Sequence, residues 1–157
     1  MKKQNLKTYA LWIIFVEAVG GLSGWLTKDG MEIYKSEILK PPLSPPGIVF
    51  PIVWAILFAL MGIGAANIYL APASSGRTRS LRLFFLQLAF NFFWSIIFFN
   101  LQNFLLALIW LVLLWLLILW MIRAFYQVDP LSARLQIPYL IWVTFAMYLN
   151  FGVWLLN

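Results

Sequence analysis

Long apolar runs alternate with short polar segments along the chain, and the strict polar/apolar alternation of strands is absent. The runs occupy residues 8–26, 48–70, 83–101, 104–122 and 137–156, and Glu17 is the one charge inside them. A helix needs about 20 apolar residues to cross the hydrocarbon core of a bilayer, and lipid offers backbone polar groups no partner outside their own segment. The pattern therefore predicts an all-α integral membrane bundle of five transmembrane helices, at about 8–26, 48–70, 83–101, 104–122 and, extended back past its apolar run, 131–156. Between them lie "TKDGMEIYKSEILKPPLSPP", "APASSGRTRS", "NLQN" and "RAFYQVDPLSAR", rich in the residues that end helices. The four-residue "NLQN" forces the third and fourth spans into an antiparallel hairpin. No internal repeat is visible, which argues against a duplicated transporter fold.

Composition agrees: 64% of residues are hydrophobic, 10% are charged and the mean hydropathy is +0.90. Five spans and their connections use up the 157 residues, so residues 1–157 read as a single transmembrane domain. "MKKQNLK" before an apolar run has the form of a secretory leader, but Glu17 stands mid-run and no A-x-A-like cleavage site follows. That segment is read as the first span. Lys2, Lys3, Lys7, Arg77, Arg79, Arg82, Arg123 and Arg134 fall on one side, against Lys28, Lys35 and Lys40 on the other. Basic residues stay inside, so the N-terminus is expected in the cytoplasm, with the C-terminus and the loop between the first two spans outside the cell membrane. The net charge of +6 sits at helix ends, where lipid headgroups rather than nucleic acid are the partner.

The chain has no His and no Cys, which removes the Ser-His-Asp and Cys-His triads, zinc sites, iron–sulfur clusters and the commonest haem ligands. No metal site or required cofactor is expected, and function must come from shape, aromatics and a few polar groups within the membrane. Each such group is costly in lipid unless it faces protein, water or a ligand. Gln87, Asn91 and Ser95 recur at i, i+4 and i+8 and so share one face of the third span, flanked by Phe90 and Trp94. A seam joining helices and a ligand contact both fit that stripe. At about 1.5 Å of rise per residue, Trp54, Trp94 and Asn150 lie roughly 9–11 Å below the outer boundary, Asn91 lies deeper and Trp142 deeper again. Three spans thus offer aromatics and amides at stepped depths, a lining for a flat apolar ligand with a few polar groups. Trp12, Trp25 and Trp154 read as interfacial belt residues. Gly20 and Gly24, and the stripe Ala55, Ala59, Gly62 and Ala66, mark close packing within the bundle. Glu17 reads as a protonated or hydrogen-bonded carboxyl in mid-membrane.

The stretch "KPPLSPPGIVFPIVWAILFALMGIGAA" resembles the second-helix signature of the translocator protein family (TspO/MBR), also called tryptophan-rich sensory proteins or peripheral-type benzodiazepine receptors. "VGGLSGW", "QLAFNFFWSIIFF" and "YQVDPLSARLQIPYLIWVTFAMYLNFGVW" agree with it in the same order, so the resemblance spans nearly the whole chain and points to a bacterial-type member. The resemblance implies a five-helix bundle, often a homodimer, that binds porphyrins such as protoporphyrin IX or haem. In mitochondrial members it implies cholesterol and synthetic isoquinoline carboxamides, ligands of the benzodiazepine-receptor type. It places the pocket beneath the loop joining the first two spans, which implies ligand contacts at Tyr34, Pro45, Ile48, Trp54, Phe58, Phe90, Asn91, Trp94, Trp142, Ala146, Leu149 and Asn150. The basic residue of the mitochondrial cholesterol motif is absent, since nothing basic follows Arg134. Pro41, Pro42, Pro45 and Pro46 fix φ and lack N–H groups, so the end of the 27–47 loop is expected to run extended and stiff as part of a lid. The reading is a membrane protein that binds a tetrapyrrole. Light-dependent breakdown of the porphyrin, with Trp54 and Trp142 exchanging an electron, is the catalytic alternative, and transport or regulatory contact with another membrane protein are the others.

Overall fold

A computed structural model describes residues 3–157; Lys2, counted among the inner basic residues, lies outside them. Seven α-helices follow one another: α1 (Lys3–Leu26), α2 (Lys28–Glu37), α3 (Val49–Leu70), α4 (Ser75–Ser95), α5 (Phe104–Val128), α6 (Pro130–Arg134) and α7 (Ile137–Leu156). A π-helical turn, Ile96–Asn100, continues α4. Five segments are long and apolar enough to span a bilayer: α1, α3, α4 with its π turn, α5, and α6 with α7. No strand occurs among the described residues. The spans close into a ring, α1 packing on α3 and α4, α4 on α5, α5 on α7, and α6 on α3 and α5. Leu11, Ile14, Leu22, Ile52, Ile56, Leu86, Ile109, Leu113, Leu116 and Ile141 stay exposed on the outside of that ring, the surface lipid covers.

Several boundaries differ from the sequence reading, each for a local reason. The loop 27–47 contains α2, whose Met31, Tyr34 and the following Ile38 recur at helical spacing, with Asp29 in its first turn and Lys35 in its last. Gly30 lets α2 seat on the π turn, since a Cβ there would lie 2.5 Å from the Phe99 carbonyl oxygen. The proline segment is not one extended rod. Rings fix φ on both sides of Leu43, and the chain turns at that residue, at φ 71°, with Ser44 Oγ donating to Pro41 O at 2.7 Å. The third span begins at Ser75 rather than 83 because Ser74 caps it, accepting from the Arg77 N–H at 3.0 Å. Arg77 also donates to Tyr69 O at the end of α3, at 2.9 and 3.1 Å. The fourth span runs on to Val128, past Arg123. The fifth is broken between α6 and α7 where Pro138 would crowd the carbonyl four residues back, that of Arg134. Gln136 bridges the break through Nε2, 3.3 Å from Leu60 O and 3.4 Å from Ser132 O.

The interior is filled at the end of the bundle remote from α2. Met61, Ile68, Phe84, Ile118, Met121, Phe125 and Tyr139 are fully buried there. Small residues on α3 admit the neighbours: a Cβ on Gly62 would stand 2.7 Å from Ile13 Cα of α1. Tyr9 donates to Asn67 on α3, tying the same ends. Toward α2 the helices enclose an unfilled space.

Candidate ligand cavity beneath the α2 cover

That space is a cavity of about 670 Å³ between α1, α3, α4 and α7, roofed by α2 and the segment after it. α3 supplies Phe50, Trp54 and Phe58, spaced four apart and therefore on one face. Trp54 stacks on Phe58 with centroids 5.4 Å apart and meets Tyr139 edge-on at 6.2 Å. Phe50 meets Trp142 of α7 at 6.0 Å. α4 supplies Asn91, Trp94 and Ser95, and the π turn adds Phe98 and Phe99. Trp94 stacks on Phe98 at 5.1 Å, and Tyr34 of α2 rests on Phe98 and Phe99 at 5.7 and 5.5 Å. Burial in this cluster pushes the Tyr34 hydroxyl above its ordinary pKa. α1 contributes the flat Gly20, Gly21 and Gly24 with Glu17 and Ser23, and α7 contributes Trp142, Ala146, Leu149 and Asn150.

The two amides on the wall differ in what they have left to offer. Asn150 is committed at both ends, accepting from Trp94 Nε1 at 3.1 Å and donating to Phe104 O at 2.9 Å. Asn91 donates through Nδ2 to Tyr139 Oη at 2.8 Å, and Tyr139 donates to Gln87 Oε1 at 2.7 Å. Asn91 Oδ1 has no hydrogen-bond partner among the described residues and belongs to the cavity wall. The indole N–H groups of Trp54 and Trp142 are likewise unpaired among the described residues. The polar stripe on α4 is thus divided: Gln87 serves the interior, Asn91 serves both sides and Ser95 lines the cavity.

Tyr34, Pro45, Trp54, Phe58, Asn91, Trp94, Trp142, Ala146, Leu149 and Asn150 come together on this wall. Ile48 and Phe90 do not. Ile48 stands at the N-terminal end of α3, 68% exposed on the outside. Phe90 precedes Asn91 by one residue, about 100° around the helix, and stacks on Trp110 of α5 at 4.4 Å, its carbonyl accepting from Trp110 Nε1 at 2.8 Å. Reading the sequence missed Phe50 and Phe98, although each lies four residues from a tryptophan it did select. It also missed Phe99, which the π turn positions, and Met31, Lys35 and Lys40, which the cover brings into place.

The cover is fastened to α7. Tyr148 Oη donates to Pro42 O at 2.6 Å, and the Asn157 side chain brackets Leu39, accepting from its N–H at 3.1 Å and donating to its carbonyl at 2.8 Å. Pro41 occupies the space a side chain would need at Gly152.

The pattern of the TspO/MBR family matches residues 12–155. A tryptophan-rich protein TspO of Chlorobaculum tepidum is 39% identical over 158 aligned positions, covering 100% of this chain and 99% of that one. A tryptophan-rich sensory protein of Cereibacter sphaeroides is 34% identical, covering 95% and 92%. The translocator protein of Sus scrofa is 38% identical, covering 87% and 84%. A bundle of five spanning segments and a family match along almost its whole length make this chain a multi-pass membrane protein of the TspO/MBR family.

Proposed function

We propose that the protein binds a porphyrin-type tetrapyrrole, protoporphyrin IX or haem, non-covalently in the cavity under α2. The observation that carries this reading is the wall itself: flat aromatic faces from α3, α4 and α7 around about 670 Å³, with Asn91 Oδ1 and two indole N–H groups unspent. That volume falls within the range of small-molecule sites, which are mostly apolar with a few oriented polar groups. Benzodiazepine-receptor-type ligands, flat and apolar too, are candidates for the same space. The site acts from the outer side of the cell membrane, with the N-terminus in the cytoplasm, and the protein works as a homodimer. A second reading, light-dependent breakdown of the bound porphyrin, is favoured by the position of Trp54 and Trp142 on the cavity wall.

One titration tests both. Protoporphyrin IX added in darkness to the purified protein should quench tryptophan fluorescence saturably. Under illumination, loss of porphyrin absorbance should be slower with Trp54→Phe and Trp142→Phe, while their dark affinities stay close to wild type because Phe keeps most of the apolar contact. Failure to saturate in the dark would sink the binding reading. Equal bleaching by wild type, both variants and empty micelles would sink the photochemical one.

A further inference from the structure

The cavity wall carries three charged side chains, and they are sorted by depth. Lys35 and Lys40 stand at the mouth, on or just after α2, whereas Glu17 lies nine residues before the end of α1, about 13 Å of helix further in. Lys40 folds inward, its Nζ 4.8 Å from the centre of the Tyr34 ring. It donates to Lys35 O at 3.2 Å and to Ile38 O at 3.1 Å, which leaves one of its three N–H groups unused. The stem of Lys35 crosses to the start of the α3 side, where its Cε would lie 3.2 Å from a Cβ on Gly47. Its Nζ is 3.6 Å from Glu32 in an exposed pair, the kind that contributes little and is readily exchanged for another carboxylate. Glu17 has no ion pair or hydrogen bond among the described residues.

We propose that Lys35 and Lys40 form a carboxylate-recognition site at the mouth, so that the cavity selects an amphiphile with its acid groups on one edge and holds that edge uppermost. This rests on the porphyrin reading and gives it a direction. Protoporphyrin IX has both propionates on one edge of an otherwise apolar ring. Edge-up, each carboxylate meets an ammonium at the rim, where water still solvates it. Inverted, the same carboxylates would be driven into the apolar interior beside Glu17, losing hydration with no cation there to meet them. The two orientations are therefore far from equivalent, and the lysines decide which ligands profit.

The test compares protoporphyrin IX with its dimethyl ester, which keeps the ring and loses the charges. Binding is measured in darkness in nanodiscs of zwitterionic phosphatidylcholine, so that no anionic headgroup competes for the lysines. Wild type should prefer the acid by about tenfold, the equivalent of roughly one charge-assisted hydrogen bond. In the double variant Lys35→Gln, Lys40→Gln that ratio should collapse toward one. A variant that merely loosened the cover would weaken acid and ester together and keep their ratio, which would overturn the proposal. So would an ester that binds wild type as tightly as the acid; in either case porphyrin binding itself would stand. If wild type binds neither compound, the porphyrin reading falls and this inference falls with it.

Discussion

Gly20 and Gly24 lie one turn apart on α1 in opposite surroundings, and alanine at each isolates a single packing contact. A Cβ at Gly20 would overlap the ring of Phe58, which is buried and stacked on Trp54. At Gly24 it would meet nothing within 4 Å. Both changes replace Gly by Ala inside the same helix, so both gain about the same propensity, roughly 0.5–1 kcal/mol, and restrict the unfolded chain alike. That shared contribution cancels when the two variants are compared. What survives is the overpacking at Gly20, about 1–3 kcal/mol for an extra methyl forced into a filled site. In a chain of this size about 1 kcal/mol moves the melting temperature by about 2–4 °C, so Gly20→Ala should melt roughly 2–12 °C below Gly24→Ala. Thermal unfolding in detergent, followed by tryptophan fluorescence, reads the difference directly. Affinity for protoporphyrin IX should fall several-fold in Gly24→Ala, whose methyl stands in the cavity. Equal melting of the two variants, or a more stable Gly20→Ala, would refute the Phe58 contact and with it the placement of α1 against α3.

Asn91→Leu removes the bond to Tyr139 but leaves that hydroxyl its acceptor on Gln87; the net loss of stability should be about 1 kcal/mol, and porphyrin affinity should drop several-fold to tenfold. Gln87→Leu strips the buried Tyr139 hydroxyl of its acceptor without touching the cavity wall, so it should melt earlier and bind normally; unchanged affinity in Asn91→Leu would make Asn91 a structural residue alone. For orientation, the cysteine-free chain permits single-cysteine labelling: an impermeant maleimide should reach Ser36→Cys from outside an intact cell and Ser75→Cys only after lysis, and the reverse pattern would invert the topology.

The five spans were legible in the sequence because lipid imposes one crude requirement, a long run almost free of charge, and every span meets it, Glu17 being the single interruption. Helix ends were less legible because polar residues extend a helix as readily as they end it. Arg77, Arg79 and Arg82 lie within α4, and Arg77 is held there by Ser74 and the Tyr69 carbonyl. α2 was hidden by its own polarity: ten residues with two Lys, two Glu, Asp, Gly and Ser resemble a connection until Met31 and Tyr34 find the π turn and the cavity to face. In the site, counting depth along each helix selected Trp54, Trp94, Asn91, Trp142 and Asn150, since depth depends only on rise per residue. Rotation about the axis is a finer matter. Phe90 adjoins Asn91 in sequence yet faces α5, and the π turn after Ser95 redirects Phe98 and Phe99 in a way no regular helix would indicate.

The fastening of the cover to α7 has a mechanical consequence. Leu39, Pro41 and Pro42 are held by Asn157, Gly152 and Tyr148, while α2 is seated on the π turn of α4. Those two helices are in turn joined through α5. The cover is therefore braced on three sides: α1 runs into it through Thr27, α4 carries it on the π turn, and α7 ties down its far end. Lifting it would break the Tyr148 and Asn157 bonds together and unseat Gly30 from the Phe99 carbonyl. Residues near the end of the sequence, Tyr148 and Asn157, thereby hold down a cover that belongs to its first third.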